Sequence, residues 1–309
     1  MNIHRFTVPV NCYLENNDER TLSVQDHEEI YEDHGFIILP ESYTENGTPT
    51  RLVICCHGAG GCVSVNDSQV EKTVFAQYLL ANGYAVMDVN GLPFEYAEKY
   101  DIDIRNNIGS PIAVRAYIKA YFYCMEHFNL KREVFIHGGS MGGISSANLV
   151  LSGAIPVVAH TALCPVLDTY NQIFLNPWSY GLPKFALGKI YKLDTDENGE
   201  YIYDEKKICG YNPAKNMKAA YYPVPVKFWH CVDDNMVSFD VTERFVNRIK
   251  ENGGVAYLRA FPMGAHGPDR IGELVENPTG NAIFEGNRLE IKPAAEEAFV
   301  FIRKYDLNA

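Results

Sequence analysis

A serine at position 140 has neighbours that suit a catalytic nucleophile. It stands in the pattern Gly138-x-Ser140-x-Gly142, after an apolar run (134–136) that predicts a buried strand and before a run (144–151) that predicts a helix. A residue at the apex of such a strand–turn–helix unit has strained backbone angles, so small neighbours are needed on both sides. The N-terminus of the helix favours negative charge beside the serine oxygen. The pattern therefore predicts a nucleophilic serine, with a glycine-rich turn and a capping serine as the simpler interpretation.

Two other glycine motifs do not fit this spacing. A phosphate-binding loop ends in Gly-Lys-Ser or Gly-Lys-Thr, and no lysine stands among these glycines. A dinucleotide-binding turn has the pattern G-x-G-x-x-G, but Ser140 occupies the place of its second glycine. The pattern around the serine therefore disfavours both kinds of nucleotide site, and its interpretation depends on the rest of the chain.

A second glycine-rich loop, residues 57–61 (His-Gly-Ala-Gly-Gly), could stabilise an oxyanion. Attack on an acyl carbon puts negative charge on the carbonyl oxygen, and each backbone N–H aimed at that oxygen lowers the barrier by about 3–4 kcal/mol. One N–H is expected from Met141, the residue after the serine, and the other from Ala59. Gly58 and Gly60 are then expected to line the substrate site.

Two further loops carry residues that can act as an acid and a base. Asp233 and Asp234 follow a strand-like run (224–230), and His266 follows another (255–261). A carboxylate at the carboxyl end of a strand points into the crevice where parallel sheets bind ligands. An adjacent pair of aspartates in a loop is otherwise solvated or caps a turn. Both aspartates are therefore candidates for an acid beside His266.

The order serine, aspartate, histidine along the chain is the order in which α/β-hydrolases carry nucleophile, acid and base. The chain resembles that superfamily over nearly its whole length, and within it the esterase and prolyl-oligopeptidase-like branch. The resemblance rests on residues 57–61, residues 138–143, His230-x-x-x-Asp234-x-x-Val237 and Gly264-x-His266-Gly267. It implies a triad of Ser140, Asp234 and His266.

The motif around the acid departs from the family pattern at two positions. The pattern is usually His-Gly-x-x-Asp-x-x-Val-Pro, and here Cys231 replaces the glycine and Ser238 the proline. Asp234 keeps the position of the aspartate and is preferred over Asp233. Asp168, which follows the next strand beyond the nucleophile, is a third candidate because some lipase relatives carry the acid there.

The rest of the chain alternates strand-like and helix-like runs. This alternation over residues 51–163 implies a parallel sheet with helices on both faces, and residues 1–50 predict an antiparallel start. A helix is expected over residues 70–81, and residues 92–110 read as irregular. We therefore expect an α/β class chain with the α/β-hydrolase fold, a mostly parallel central sheet with helices on both faces, and a single domain over residues 1–309.

Residues 170–217 interrupt the alternation. A segment of this length without it is usually an insertion over a site, and we expect a cap above the serine. Aromatic faces offer large apolar area with few rotors, so Trp178, Tyr180 and Phe185 are expected to contact the substrate. The alternative is a segment that packs against the side of the domain and has no functional role.

Composition narrows the partners. The chain has 309 residues and a formal net charge of -12, which disfavours nucleic acid and anionic membranes as partners. No apolar run is long enough to span a bilayer. The eight cysteines form no C-x-x-C pair and read as small buried thiols, which favours a cytoplasmic location. We expect neither a cofactor nor a metal.

The residues and the resemblance together predict a serine carboxylic-ester hydrolase that forms an acyl-enzyme. Its expected partner is a small-molecule ester with a short acyl, acetylated-sugar or hydroxycinnamate-type group. A prolyl-oligopeptidase-like serine peptidase, an acyltransferase with the same triad and a non-catalytic binding protein with this fold are the alternatives. The sequence leaves the oligomeric state open.

Overall fold

A central sheet of eight strands organises the chain. The computed structural model describes residues 2–12, 29–63, 70–177, 181–208, 210–262, 264–266 and 294–306. The sheet order is β1-β2-β4-β3-β5-β6-β7-β8. β1 pairs antiparallel with β2 and β2 antiparallel with β4, whereas the other pairs are parallel. The strands are β1 Asn2–Asn11, β2 Ile30–Leu39, β3 Thr50–Cys56, β4 Tyr84–Val89, β5 Leu130–Gly139, β6 Val157–Leu163, β7 Val226–Cys231 and β8 Ala256–Phe261.

Helices cover both faces of this sheet. α3, α4 and α7 contribute apolar side chains to one buried cluster, and α1 and α8 contribute to a second cluster on the other face. This arrangement confirms the predicted α/β class with helices on both faces of a mostly parallel sheet. The helices are α1 Val74–Ala81, α2 Phe94–Lys99, α3 Pro111–His127, α4 Gly142–Ser152, α5 Leu182–Ile190, α6 Glu205–Ile208, α7 Phe239–Glu251 and α8 Ala294–Asp306.

Two predicted elements differ from the structure. The helix expected over residues 70–81 is divided, because the Thr73 side chain accepts a hydrogen bond from Ala76 N (3.2 Å) and caps α1 after a separate 3₁₀ turn. Within the stretch expected to be irregular, α2 forms. Its side chains Tyr96 and Ala97 are buried, and tertiary burial of this kind overrides weak local propensity.

The parallel pairing brings the functional loops to one edge. β3 ends at Cys56 before the 57–61 loop, β5 ends at Gly139 before the serine, and β7 ends at Cys231 before the aspartates. β8 ends at Phe261, five residues before His266. Because parallel strands have their carboxyl ends at the same edge, all four loops meet there.

The segment 170–217 leaves the sheet after β6 and returns before β7. It contains a π-helical turn (Asn171–Leu175), α5, α6 and the start of a 3₁₀ turn (Met217–Tyr221). Asn212 joins its two ends: the Asn212 Oδ1 accepts from Thr169 N (3.1 Å), and its Nδ2 donates to Asp168 Oδ1 (3.0 Å) and to the Tyr203 hydroxyl (3.0 Å). These bonds hold the segment against the edge where the loops meet.

No helix among the described residues is long and apolar enough to cross a lipid bilayer.

The buried Asn212 amide yields a stability prediction. Replacing Asn212 by alanine removes the acceptor of the buried Thr169 N–H, so we expect the free energy of unfolding to fall by about 1–3 kcal/mol. Urea denaturation with linear extrapolation measures it. Asn252→Ala is the matched control, because that exposed side chain donates to the Arg248 carbonyl at the end of α7. Water can replace this donor at an exposed helix end. Equal, small losses in both variants would show that Asn212 does not hold the segment.

Candidate active site

Ser140 sits at a strained turn between β5 and α4. Its φ is +52°, a left-handed backbone conformation that residues other than glycine rarely adopt. Its N–H donates to the Leu163 carbonyl (3.0 Å), and its own carbonyl accepts from Gly143 N (2.8 Å) and Val166 N (2.9 Å). These three backbone bonds stabilise the turn, in which the Ser140 side chain faces the loop that carries His266.

The structure brings Ser140, His266 and Asp234 into one hydrogen-bonded chain. His266 Nε2 lies 2.9 Å from Ser140 Oγ, and His266 Nδ1 lies 2.8 Å from Asp234 Oδ2. Because Nδ1 faces a carboxylate, Nδ1 donates and Nε2 is left to accept the serine proton. The arrangement can therefore activate the serine hydroxyl as a nucleophile.

The Asp234 carboxylate is buried and fully hydrogen-bonded. Its Oδ2 accepts from His266 Nδ1 and from His230 Nε2 (3.2 Å), and its Oδ1 accepts from Met236 N and Val237 N (2.9 Å each). Burial alone would raise its pKa, but hydrogen bonds from the two histidines and attraction to His266 outweigh burial and hold the pKa of Asp234 well below its usual range. The acid therefore remains ionised at neutral pH.

The other two aspartate candidates contact different groups. Asp233 Oδ1 accepts from Ala265 N (2.9 Å), the residue before His266, whose φ is +50°. Asp233 thus holds the backbone of the histidine loop. Asp168 Oδ1 accepts from the Tyr170 N–H (3.0 Å) and from Asn212. Of the three candidates, the structure places Asp234 against the imidazole.

His230 also contacts the acid, a role that the sequence analysis did not assign to it. The residue is fully buried; its Nε2 faces the acceptors Asp234 Oδ2 and Val237 O (3.2 Å each), and its Nδ1 lies 2.9 Å from Thr242 Oγ1. Nε2 therefore carries a proton, and Nδ1 is paired with the Thr242 hydroxyl, which also lies 3.5 Å from the Pro165 carbonyl. The feature of the sequence that points to this role is the position of His230, four residues before Asp234. In the sequence that spacing identifies the motif around the acid and does not by itself indicate a contact.

Cys164 adds a thiol to this group. One ligand atom each from Cys164, His230 and Asp234 lies within 4.8 Å of the others, a set that could hold a soft or borderline metal ion. Both oxygens of Asp234 already accept two hydrogen bonds each, and both ring nitrogens of His230 have partners. We therefore assign His230 to the support of the Asp234 carboxylate.

A small apolar pocket opens beside Ser140. Its volume is about 100 Å³, well below the roughly 300–1,000 Å³ of sites for drug-sized ligands. Ala59, Met141 and His266 line it together with Ser140, and Gln172 adds a polar side chain. Seven apolar residues complete the walls: Ile108, Ile144, Val166, Ile173, Pro183, Met236 and Val237.

The remaining predicted site residues are placed as follows. A Cβ added to Gly58 would lie 3.4 Å from Ser140 Cβ, so the loop backbone passes beside the serine. Gly60 has a φ of +84°, which a glycine adopts without strain, and of this loop Ala59 lines the serine pocket whereas Gly58 and Gly60 do not. Phe185 does not line the serine pocket but a separate cavity of about 670 Å³, and Pro183 of the same helix lines the serine pocket instead. Trp178 and Tyr180 lie outside the described residues.

Comparison with known proteins yields structural matches alone. No family model matches the chain, and no curated protein sequence matches it. The uncomplexed acylaminoacyl peptidase of Pyrococcus horikoshii matches with a TM-score of 0.60 and 15% identity, over 90% of this chain and 39% of its own. A puromycin-hydrolyzing peptidase of Mycobacterium tuberculosis matches with a TM-score of 0.60 and 19% identity, over 77% of this chain and 34% of its own.

A third match is an acylaminoacyl peptidase in complex with Z-Gly-Gly-Phe-chloromethyl ketone, with a TM-score of 0.59 and 16% identity over 86% of this chain and 38% of its own. At these identities the likeness establishes the fold. The chain has the α/β-hydrolase fold that its motifs predicted, and it spans 34–39% of the length of these three structures.

The different contacts of the two adjacent aspartates give a paired prediction. Asp234→Asn replaces the acceptor of the imidazole proton, so kcat should fall by about 10⁴-fold. Asp233→Asn keeps an acceptor oxygen for Ala265 N and should change kcat by less than about threefold, since the backbone bond is retained. Steady-state kinetics on nitrophenyl acetate measure both. A larger loss for Asp233→Asn, with both proteins folded, would reverse the assignment.

Proposed function

We propose that this chain is a serine hydrolase that works through an acyl-enzyme. The hydrogen-bonded chain from Ser140 through His266 to the buried Asp234, at the mouth of a pocket, is the observation that carries this proposal. His266 Nε2 takes the proton of Ser140 Oγ as that oxygen attacks the acyl carbon. Asp234 orients the imidazole and stabilises its cation.

The developing oxyanion is assigned to the backbone N–H groups of Ala59 and Met141. Both residues line the pocket that contains Ser140, and Met141 is also the N-cap of α4, where partial positive charge accumulates. After the leaving group departs with the proton from His266, water activated by the same imidazole cleaves the acyl-enzyme.

The pocket supports a small, uncharged acyl group. Apart from His266, which belongs to the proposed triad, the described lining has no titratable side chain, so a charged acyl group would be desolvated without a partner. The apolar walls and the volume of about 100 Å³ favour short, unbranched groups.

The leaving group is the open part of the proposal. The sequence motifs favour esters, but the structural neighbours carry the names of peptidases, which supports amide-bond cleavage better. Esters remain the second candidate. An ester has a better leaving group than the amide of the same acyl group, so a triad that hydrolyses amides also hydrolyses esters. We therefore propose cleavage of an amide of a small neutral acyl group, with esters as accepted substrates.

Labelling and turnover test the proposal together. A fluorophosphonate probe should label the wild type on Ser140, and Ser140→Ala should abolish labelling because it removes the attacking oxygen. Ser152→Ala, a serine exposed at the end of the same helix, is the matched control and should label normally. Wild type that has not been treated with the probe should hydrolyse the p-nitroanilide of propionic acid, a short and unbranched acyl group, as well as the matching p-nitrophenyl ester.

Labelling that persists in Ser140→Ala would contradict the triad. Turnover of the ester without any turnover of the anilide, in a protein that labels fully, would instead contradict amide cleavage and leave an esterase.

The walls of the pocket generate a prediction on acyl length. Ile144, Val166 and Val237 pack together beside Ser140. Val166→Ala removes two methyl groups from this wall, so the ratio of kcat/KM for nitrophenyl hexanoate to that for the acetate should rise by about 10-fold or more. Val158→Ala, on β6 away from the pocket, is the control. An unchanged ratio would remove Val166 from the acyl pocket.

A further inference from the structure

A buried chain of hydrogen bonds lies beside the 57–61 loop and takes no part in the proposed reaction. His57 Nδ1 lies 3.0 Å from Asp88 Oδ2, Asn107 Nδ2 lies 3.3 Å from His57 Nε2, and the Ser145 hydroxyl donates to Asn107 Oδ1 (3.1 Å). His57 is 4% exposed and the other three side chains are fully buried. The chain thus joins the end of β4 to α4, the helix that follows the nucleophile, through the first residue of the loop.

The orientation of the Asn107 amide is fixed by two further bonds. Its Nδ2 also donates to the Asn90 carbonyl (2.9 Å), and its Oδ1 also accepts from Gly109 N (3.1 Å). Exchanging the nitrogen and oxygen would set an oxygen against the Asn90 carbonyl and an N–H against Gly109. His57 Nε2 must therefore accept a hydrogen bond from Asn107, and the protonated His57 Nδ1 must donate one to Asp88.

Asp88 must act as an acceptor at both oxygens. Its Oδ1 accepts from Val89 N (2.8 Å) and from the Tyr117 hydroxyl (2.7 Å), while its Oδ2 faces His57. An asparagine at this position would turn an amide N–H toward one of these donors. The order of donors and acceptors along the chain therefore requires a carboxylate at 88 and an amide at 107.

The chain reaches the two parts of the pocket that contact an acyl group. A Cβ on Gly61 would lie 2.8 Å from the His57 ring, so the loop that carries Ala59 closes directly over the imidazole. At the other end, Ile108 follows Asn107 with a φ of +47°, an unusual conformation for a β-branched residue, and it lines the serine pocket. Rotation of either His57 or Asn107 would move a wall of the site.

We propose that the Asp88–His57–Asn107 chain positions the Ala59 N–H against the oxyanion, so that Asp88 and Asn107 are positioning residues although neither touches substrate. The inference rests on the proposed function, and it concerns the tetrahedral state rather than the bound substrate. It therefore affects kcat and the affinity for a tetrahedral adduct, and leaves KM nearly unchanged.

Two nearly isosteric variants test the order of donors and acceptors. Asp88→Asn and Asn107→Asp should each lower kcat for nitrophenyl acetate by about 10–100-fold with KM within about twofold, since a displaced oxyanion donor is partly lost. The inhibition constant of ethylboronic acid, which forms a tetrahedral adduct on the serine, should rise by a similar factor. Active-site titration with the fluorophosphonate corrects each rate for the folded fraction.

The double variant is the sharper test. With asparagine at 88 and aspartate at 107, His57 can take the opposite tautomer, accept at Nδ1 and donate at Nε2, while the buried charge is conserved. If the two substitutions acted independently, the loss of kcat in the double variant would be the product of the two single losses. We expect its kcat to be at least about 10-fold higher than that value, although the new oxygen near the Asn90 carbonyl prevents full recovery. If a single variant does not fold, the remaining single variant and the double variant carry the test.

Tyr84→Phe is the matched control for stability. It removes a partly buried hydroxyl that donates to Asp306 (2.6 Å). Tyr84 begins β4, at the end away from Asp88, so the variant should have a lower Tm and an unchanged kcat. Folded single variants with unchanged kcat, or losses that multiply in the double variant, would overturn the inference. A wild type that neither reacts with the fluorophosphonate nor hydrolyses the ester would overturn the proposed function and this inference with it.

Discussion

The close approach of α4 to the end of β3 is the constraint on which the site depends. A Cβ on Gly142 would collide with the Cys56 carbonyl oxygen and lie 2.6 Å from that of His57, so α4 can begin there only with a glycine. This contact places the N-terminus of α4 beside the loop that follows β3. Ser140, Met141 and Ala59 consequently share one pocket, which is why we propose the Met141 and Ala59 N–H groups as the donors to an oxyanion formed at the serine.

Hydrogen bonds to the backbone and to buried side chains then hold each part of the site from behind. Asp234 is held by His230 and by two backbone N–H groups, and Asp233 holds the backbone before His266. In a buried setting such bonds are strong when complete and costly when broken, which gives a rigid arrangement at the expense of tolerance to substitution. Rigidity of this kind suits a reaction whose charge moves over a few ångströms.

Much of this arrangement could be predicted from local sequence because it lies at strand ends. Ser140, Asp234 and His266 each follow an apolar run, and parallel pairing brings the ends of such runs to one edge. The pocket walls could not be predicted in the same way. Ile108 and Pro183 come from stretches without periodicity, and an isolated apolar residue there looks like any core residue. Asp88 and Asn107 could not be predicted either, because a single polar residue near the end of a strand or in a loop is usually solvated, and only tertiary contacts show these two to be buried.

We propose above all that the Ala59 and Met141 N–H groups receive the oxyanion formed at Ser140. A crystal structure of the fluorophosphonate adduct tests it most directly, because the phosphoryl oxygen takes the place of that oxyanion. The account predicts phosphorus bonded to Ser140 Oγ, with the phosphoryl oxygen about 2.7–3.1 Å from both nitrogens. Phosphorus on another residue, or a phosphoryl oxygen directed to solvent and away from both nitrogens, would contradict the account.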